Sequence, residues 1–92
     1  NIIKKYGLEL FDITKLKTEK ITDIPGKYED ICWMPDGSIL LAKKNQVFRY
    51  QPKNKKDWKP FITFKDFEMQ KVSRIAVSPD GTKLAIVGEE SP

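Results

Sequence analysis

Apolar residues fall along this chain in short runs, each closed by a polar or turn-forming cluster, and no stretch carries the spacing of an amphipathic helix. Runs rich in β-branched and aromatic residues predict strands at residues 8–12, 20–24, 30–34, 39–43, 46–50, 58–64, 72–78 and 84–87. The intervening segments carry proline, glycine, asparagine or lysine, which end strands and turn the chain. Pro60 falls inside the sixth run and lacks a backbone donor, so that strand is expected at the outside of its sheet. The pattern predicts an all-β chain.

The tripeptide Pro-Asp-Gly occurs twice, at Pro35-Asp36-Gly37 and Pro79-Asp80-Gly81, 44 residues apart. Each copy follows one apolar run and precedes another: Ile31-Cys32-Trp33-Met34 and Ser38-Ile39-Leu40-Leu41-Ala42 around the first, Ile75-Ala76-Val77-Ser78 and Leu84-Ala85-Ile86-Val87 around the second. Proline presets φ for the first turn position, aspartate tolerates the second, and glycine takes the left-handed conformation that reverses the chain. A strand–turn–strand unit recurring at this spacing is the signature of a β-propeller blade, a sheet of four antiparallel strands. Two repeats account for nearly all of the 92 residues, whereas closed propellers use about four to eight blades. The expectation is a partial propeller of about two blades, cut from something larger; the absence of a methionine before Met34 fits that reading.

Strand order sharpens it. Counting strands one to four from channel to rim, the chain reads three–four, one–two–three–four, one–two. Residues 1–26 are then an outer half-blade, 27–67 a complete blade and 68–92 an inner half-blade, all within one propeller domain. Open half-blades present unpaired edges, and isolated two-stranded ribbons are marginal in water. The chain is therefore expected to be ordered only when both halves are completed, by the remainder of a parent propeller or by symmetric copies of itself.

Composition narrows the chemistry. There is no histidine, so Ser-His-Asp and Cys-His nucleophile arrangements and histidine-based metal sites cannot be assembled within the segment. The single cysteine, Cys32, allows no internal disulfide and no four-ligand zinc site; beside Trp33 in an apolar run it reads as a small buried hydrophobe. Neither Pro-Asp-Gly aspartate has the neighbouring oxygen ligands of a calcium loop. No metal and no cofactor is expected. Seventeen basic residues against thirteen acidic ones give a net charge of +4. The lysines cluster at Lys4-Lys5, at Lys15, Lys17 and Lys20, at Lys43-Lys44 and at Lys53, Lys55 and Lys56, where they protect strand ends and aid solubility. Acidic residues interleave with them and the aromatics alternate as core residues do, so nucleic acid ranks last among partners. No apolar run is long enough for a membrane span.

The run Ile75-Ala76-Val77-Ser78-Pro79-Asp80-Gly81-Thr82-Lys83-Leu84-Ala85 resembles the repeat of TolB-like propellers, relatives of the WD-repeat type. The copy at residues 31–42 is similar, with Met34 in place of the serine and one residue fewer after the turn. The resemblance implies a non-catalytic scaffold that binds a protein or small ligand, commonly bacterial and exported to the periplasm or cell surface. It equally implies an alternative, the propeller portion of a larger peptidase- or glycosidase-type hydrolase whose catalytic residues lie outside this segment. No catalytic residue is assigned within it. Asp36 and Asp80 are expected to bond their own turns. Ligand contacts are expected at the channel mouth, from Glu29 and Asp30 before one inner strand and from Ser73 and Arg74 before the other. Arg74 is the most pointed of these, because a guanidinium suits bidentate recognition of carboxylate or phosphate. Trp33 and Trp58 are expected between blades, and Ile31, Trp33, Leu41, Phe48, Tyr50, Ile75, Val77, Leu84 and Ile86 are expected to bury the most surface.

Overall fold

A computed structural model describes residues 6–24, 26–54, 57–64 and 69–90. They form eight strands and three antiparallel sheets. Strands β1 (Tyr6–Asp12) and β2 (Lys17–Ile24) make a two-stranded sheet. Strands β3 (Asp30–Trp33), β4 (Ile39–Lys43), β5 (Gln46–Tyr50) and β6 (Lys59–Thr63) make a four-stranded meander in chain order. Strands β7 (Met69–Val77) and β8 (Leu84–Glu90) make a second two-stranded sheet. The all-β expectation holds, and the strands fall where the apolar runs placed them. Pro60 lies in β6, the outermost strand of the meander, as its missing donor predicts. The Lys4-Lys5 pair, Pro25, Lys55, Lys56 and most of the 65–71 connection lie outside the described residues.

Both Pro-Asp-Gly segments are the expected turns. Gly37 and Gly81 take φ of 91° and 75°, a region that favours glycine. Gly37 N donates to Met34 O at 3.0 Å and Gly81 N to Ser78 O at 2.9 Å, so the two turns close in the same way. The β4–β5 hairpin turns instead on Lys44, at φ 57° without a glycine. Its carbonyl is used: Lys44 O accepts Val72 N from β7, and Asn45 O accepts Phe64 N, both at 2.8 Å.

The four-residue run Ile39-Leu40-Leu41-Ala42 is buried throughout, because β4 has a neighbouring sheet on each side. Leu40 and Ala42 join Val47, Phe64, Val72 and Ile75 in one cluster, against which Cys32, Ile62, Val77 and Leu84 pack. Ile39 and Leu41 point the other way; Ile39 shares a cavity wall with Leu8 and Leu10 of β1. A strand covered on both faces reads as a continuous apolar run with no alternation.

The first sheet is tied to the meander by polar and aromatic contacts. Trp58 Nε1 donates to Asp23 O at 3.0 Å, and the rings of Tyr6 and Tyr28 meet edge to face at 6.0 Å. The last sheet is tied by Asp30, whose Oδ2 accepts the backbone N–H of Ile75 at 2.8 Å.

Register reveals a second repeat that the sequence conceals. In β5–β6 the pairing runs Val47 with Ile62, then Phe48 with Pro60, so a bulge omits Phe61. In β1–β2 it runs Leu8 with Thr22, then Glu9 with Lys20, so a bulge omits Ile21. Both hairpins skip one residue of their second strand, β1–β2 after the third pair and β5–β6 after the second. Aligned on the bulge, Leu8 corresponds to Val47, Glu9 to Phe48 and Leu10 to Arg49.

Trp33 corrects an expectation. It is 54% exposed, at the end of the edge strand β3, and nothing within the described residues covers its outer side. Leu41 is fully buried as expected, and Leu40, Val47 and Val72, not singled out in the sequence, are each under 2% exposed as well. Tyr50 and Ile75 are buried as expected, while Ile31, Phe48, Val77, Leu84 and Ile86 are half-buried.

Candidate functional site

The start of β3 and the middle of β7 are brought together, and with them the four residues singled out in the sequence. Asp30 lies at the joint. Its carboxylate accepts from Ile75 N and stands beside the Arg74–Ile75 peptide, spanning 45 positions of chain with one hydrogen bond. Glu29 is exposed, its backbone N–H donating to Ala42 O at 2.8 Å. Ser73 Oγ donates to Val87 O at 3.2 Å across its own hairpin. Arg74 is exposed, and its Nη1 donates to the Ser73 carbonyl at 2.8 Å. Asp30 and Ser73 are thus engaged with backbone, whereas Glu29 and Arg74 present opposite charges to solvent near one end of the molecule. The two ion pairs given by the described residues, Lys20 with Asp23 and Arg49 with Asp36, lie elsewhere.

The turn aspartates are occupied in their own loops. Asp36 Oδ1 accepts Ser38 N at 2.8 Å, and this backbone bond is the first cause of its lowered pKa, with the Ser38 side chain and Arg49 also contributing. Asp80 Oδ1 accepts Ser78 Oγ at 2.6 Å, Thr82 N at 3.1 Å and Thr82 Oγ1 at 2.8 Å. These bonds, that of Ser78 foremost, hold the Asp80 pKa at about 2 against an ordinary 3.8. Asp12 does the same in the β1–β2 loop, where Thr14 and Lys15 bond its Oδ1 and lower its pKa. A carboxylate so held is a poor proton acceptor near neutral pH. Burial raises the Cys32 thiol, which therefore stays protonated.

Two features were missed in the sequence. The first is Arg49, a lone cation in the apolar strand Val47-Phe48-Arg49-Tyr50. It donates from Nε to the buried Ser38 hydroxyl at 3.1 Å, from Nη2 to Asp36 Oδ2, and stands 5.5 Å from the Phe61 ring centre. It thereby ties the first Pro-Asp-Gly turn to the third strand of the same sheet. The second is a cleft of about 730 Å³ between the β1–β2 hairpin and β3, flanked by the exposed rings of Phe11 and Trp33 and by Glu9, Glu19, Lys15 and Lys17. A tryptophan in an apolar run signals burial, and only the edge position of β3 reverses that.

Among the described residues no group of three or more Cys, Asp or Glu side chains is placed to hold a metal ion, and no helix is long and apolar enough to cross a membrane. Comparison with protein-family models, characterised proteins and solved structures found no match to this chain.

Proposed function

We propose that this chain is part of a non-catalytic β-propeller scaffold of the TolB-like type, which binds a protein or small ligand through its assembled sheets. One observation carries the reading. The strand–Pro-Asp-Gly–strand unit recurs in β3–β4 and β7–β8 with the same glycine closure, the second turn one residue longer, while a one-residue bulge recurs in β1–β2 and β5–β6. Each two-stranded sheet then corresponds to half of the four-stranded one, inner half last and outer half first. The polar chemistry supports binding over catalysis: the turn carboxylates and Asp30 are engaged by backbone and hydroxyl donors, which leaves Glu29 and Arg74, of the four channel-mouth residues, as the charges offered to a ligand.

Completion of the half-sheets follows from the same correspondence, because β-sheet edges invite pairing and a two-stranded ribbon is marginal alone. Light scattering on the isolated chain, combined with its amide proton spectrum, tests this. The expected outcome is an isolated chain that is unstable or aggregates, not a folded monomer. A stable monomer with sharp, dispersed amide signals would overturn the half-sheet reading.

A further inference from the structure

The two Pro-Asp-Gly turns have the same closure but different company. Around Asp36 the two carboxylate oxygens divide the work: Oδ1 bonds its own turn at Ser38 N, and Oδ2 receives the Arg49 guanidinium from β5. Around Asp80 every contact among the described residues falls on Oδ1, from Ser78 and Thr82. The missing party is the strand that would lie along the outer edge of β8, where, among the described residues, β7 is the sole neighbour.

Register says where its arginine must stand. Arg49 lies opposite Leu40, and Leu40 lies opposite Cys32. The corresponding pair in the last sheet is Ala76 with Ala85. One face of β8 is open along the same stretch: Ala85 and Glu89 are exposed and Val87 is 60% exposed. Because its turn bonds keep Asp80 ionised across the whole neutral range, the anion is always present.

We propose that the outer edge of β8 receives an antiparallel strand from a polypeptide segment outside these 92 residues, with an arginine opposite Ala85 whose guanidinium closes on Asp80 Oδ2. A second copy of this chain does not meet the requirement. Its available strand for that place is β1, and the shared bulge puts Leu10 where Arg49 stands in β5. An alkyl side chain there leaves the Asp80 carboxylate without its cation. The inference rests on the reading that β7–β8 is the inner half of a four-stranded sheet, and it chooses between the two ways of completing that sheet.

Fluorescence anisotropy of labelled peptides against the full chain tests it in any association state. One peptide carries the sequence of residues 44–51, the second carries the same sequence with Arg49→Leu, and the third carries the sequence of residues 6–12. The chain is used unaltered and as Asp80→Asn, which can keep one carbonyl oxygen for Thr82 and Ser78 while removing the charge and turning the second carboxylate oxygen into an NH2 that cannot accept. The arginine peptide is expected to bind about tenfold more tightly than its leucine counterpart, as a charge-assisted hydrogen bond at a strand edge does, and Asp80→Asn should abolish that advantage. Equal binding of the arginine and leucine peptides, or an arginine preference that survives Asp80→Asn, would overturn the proposal. Tighter binding of the 6–12 peptide would overturn it in favour of a second copy while leaving the half-sheet reading intact. Binding by none of the three would overturn both.

Discussion

Asp30 and Arg74 are neighbours in space with opposite relations to the fold. Asp30 accepts the Ile75 N–H at the joint between two sheets, in a half-buried position. Removing that acceptor leaves a sheltered donor unpaired, and an unmade hydrogen bond costs more than a made one contributes. Asp30→Ala is expected to destabilise the fold by about 1–3 kcal/mol in urea denaturation. Arg74 reaches only the carbonyl of the preceding residue from an exposed position, so Arg74→Ala is expected to change stability by less than about 0.5 kcal/mol. If Arg74 serves a ligand, its loss should appear in binding and not in the denaturation curve. Equal destabilisation by the two substitutions would remove the distinction between joint and ligand contact. The sequence singles both out as preceding inner strands; the structure corrects the place, since Asp30 opens β3 and Ser73 and Arg74 lie inside β7, which begins four residues before Ser73 at Met69. Their division of labour was not legible, because it depends on which backbone donor the neighbouring sheet brings within reach.

At the scale of elements, the Pro-Asp-Gly turns were the most legible feature, since proline, aspartate and glycine each restrict the backbone locally. What the turn bonds contribute depends on pH with a definite sign. The folded pKa of Asp80 is depressed to about 2 from an ordinary 3.8, so the stabilisation is fully present above 3.8 and is lost as pH falls through about 2. A carboxyl carbon titration by NMR should place the Asp80 midpoint near 2, and Thr82→Val should move it upward by deleting a hydroxyl donor. A midpoint near 3.8 in the unaltered chain would show that these hydrogen bonds do not form. The repeat of β1–β2 upon β5–β6 was not legible in side chains, because Leu8-Glu9-Leu10 and Val47-Phe48-Arg49 share little beyond backbone path. It emerges only from the bulge, which is a property of pairing.

For the whole molecule, the deciding fact is that the middle sheet is covered on both faces. Leu40 is 1% exposed and packs in the cluster that joins the meander to the last sheet. Leu40→Ala is expected to cost about 2–5 kcal/mol, through lost transfer energy and the cavity it leaves. A cost below about 1 kcal/mol in chemical denaturation would show that this cluster is not packed. The all-β class could be read from apolar runs and turns alone. The exposure of Trp33 could not, because burial at a sheet edge is decided by what lies beyond it. In the propeller reading, the unshielded ring of Trp33 and the open edge of β8 are surfaces awaiting the same larger assembly.

The two-sided burial of β4 also bears on how the pairing chooses its alignment. In a strand with one wet face, a slip by one residue turns every apolar side chain toward water, and the penalty holds the strands in step. Ile39-Leu40-Leu41-Ala42 has no wet face, so a slip there exposes little and is resisted only by misfit of side-chain volumes. The alignment information must come from the strand's ends and partners. Lys44 in a left-handed conformation fixes one end, the Asp36 turn with its grip on Arg49 fixes the other, and the bulge after Val47 allows β6 one offset. The greasiest strand is the one that says least about its own place; the polar residues at its margins carry that information for it.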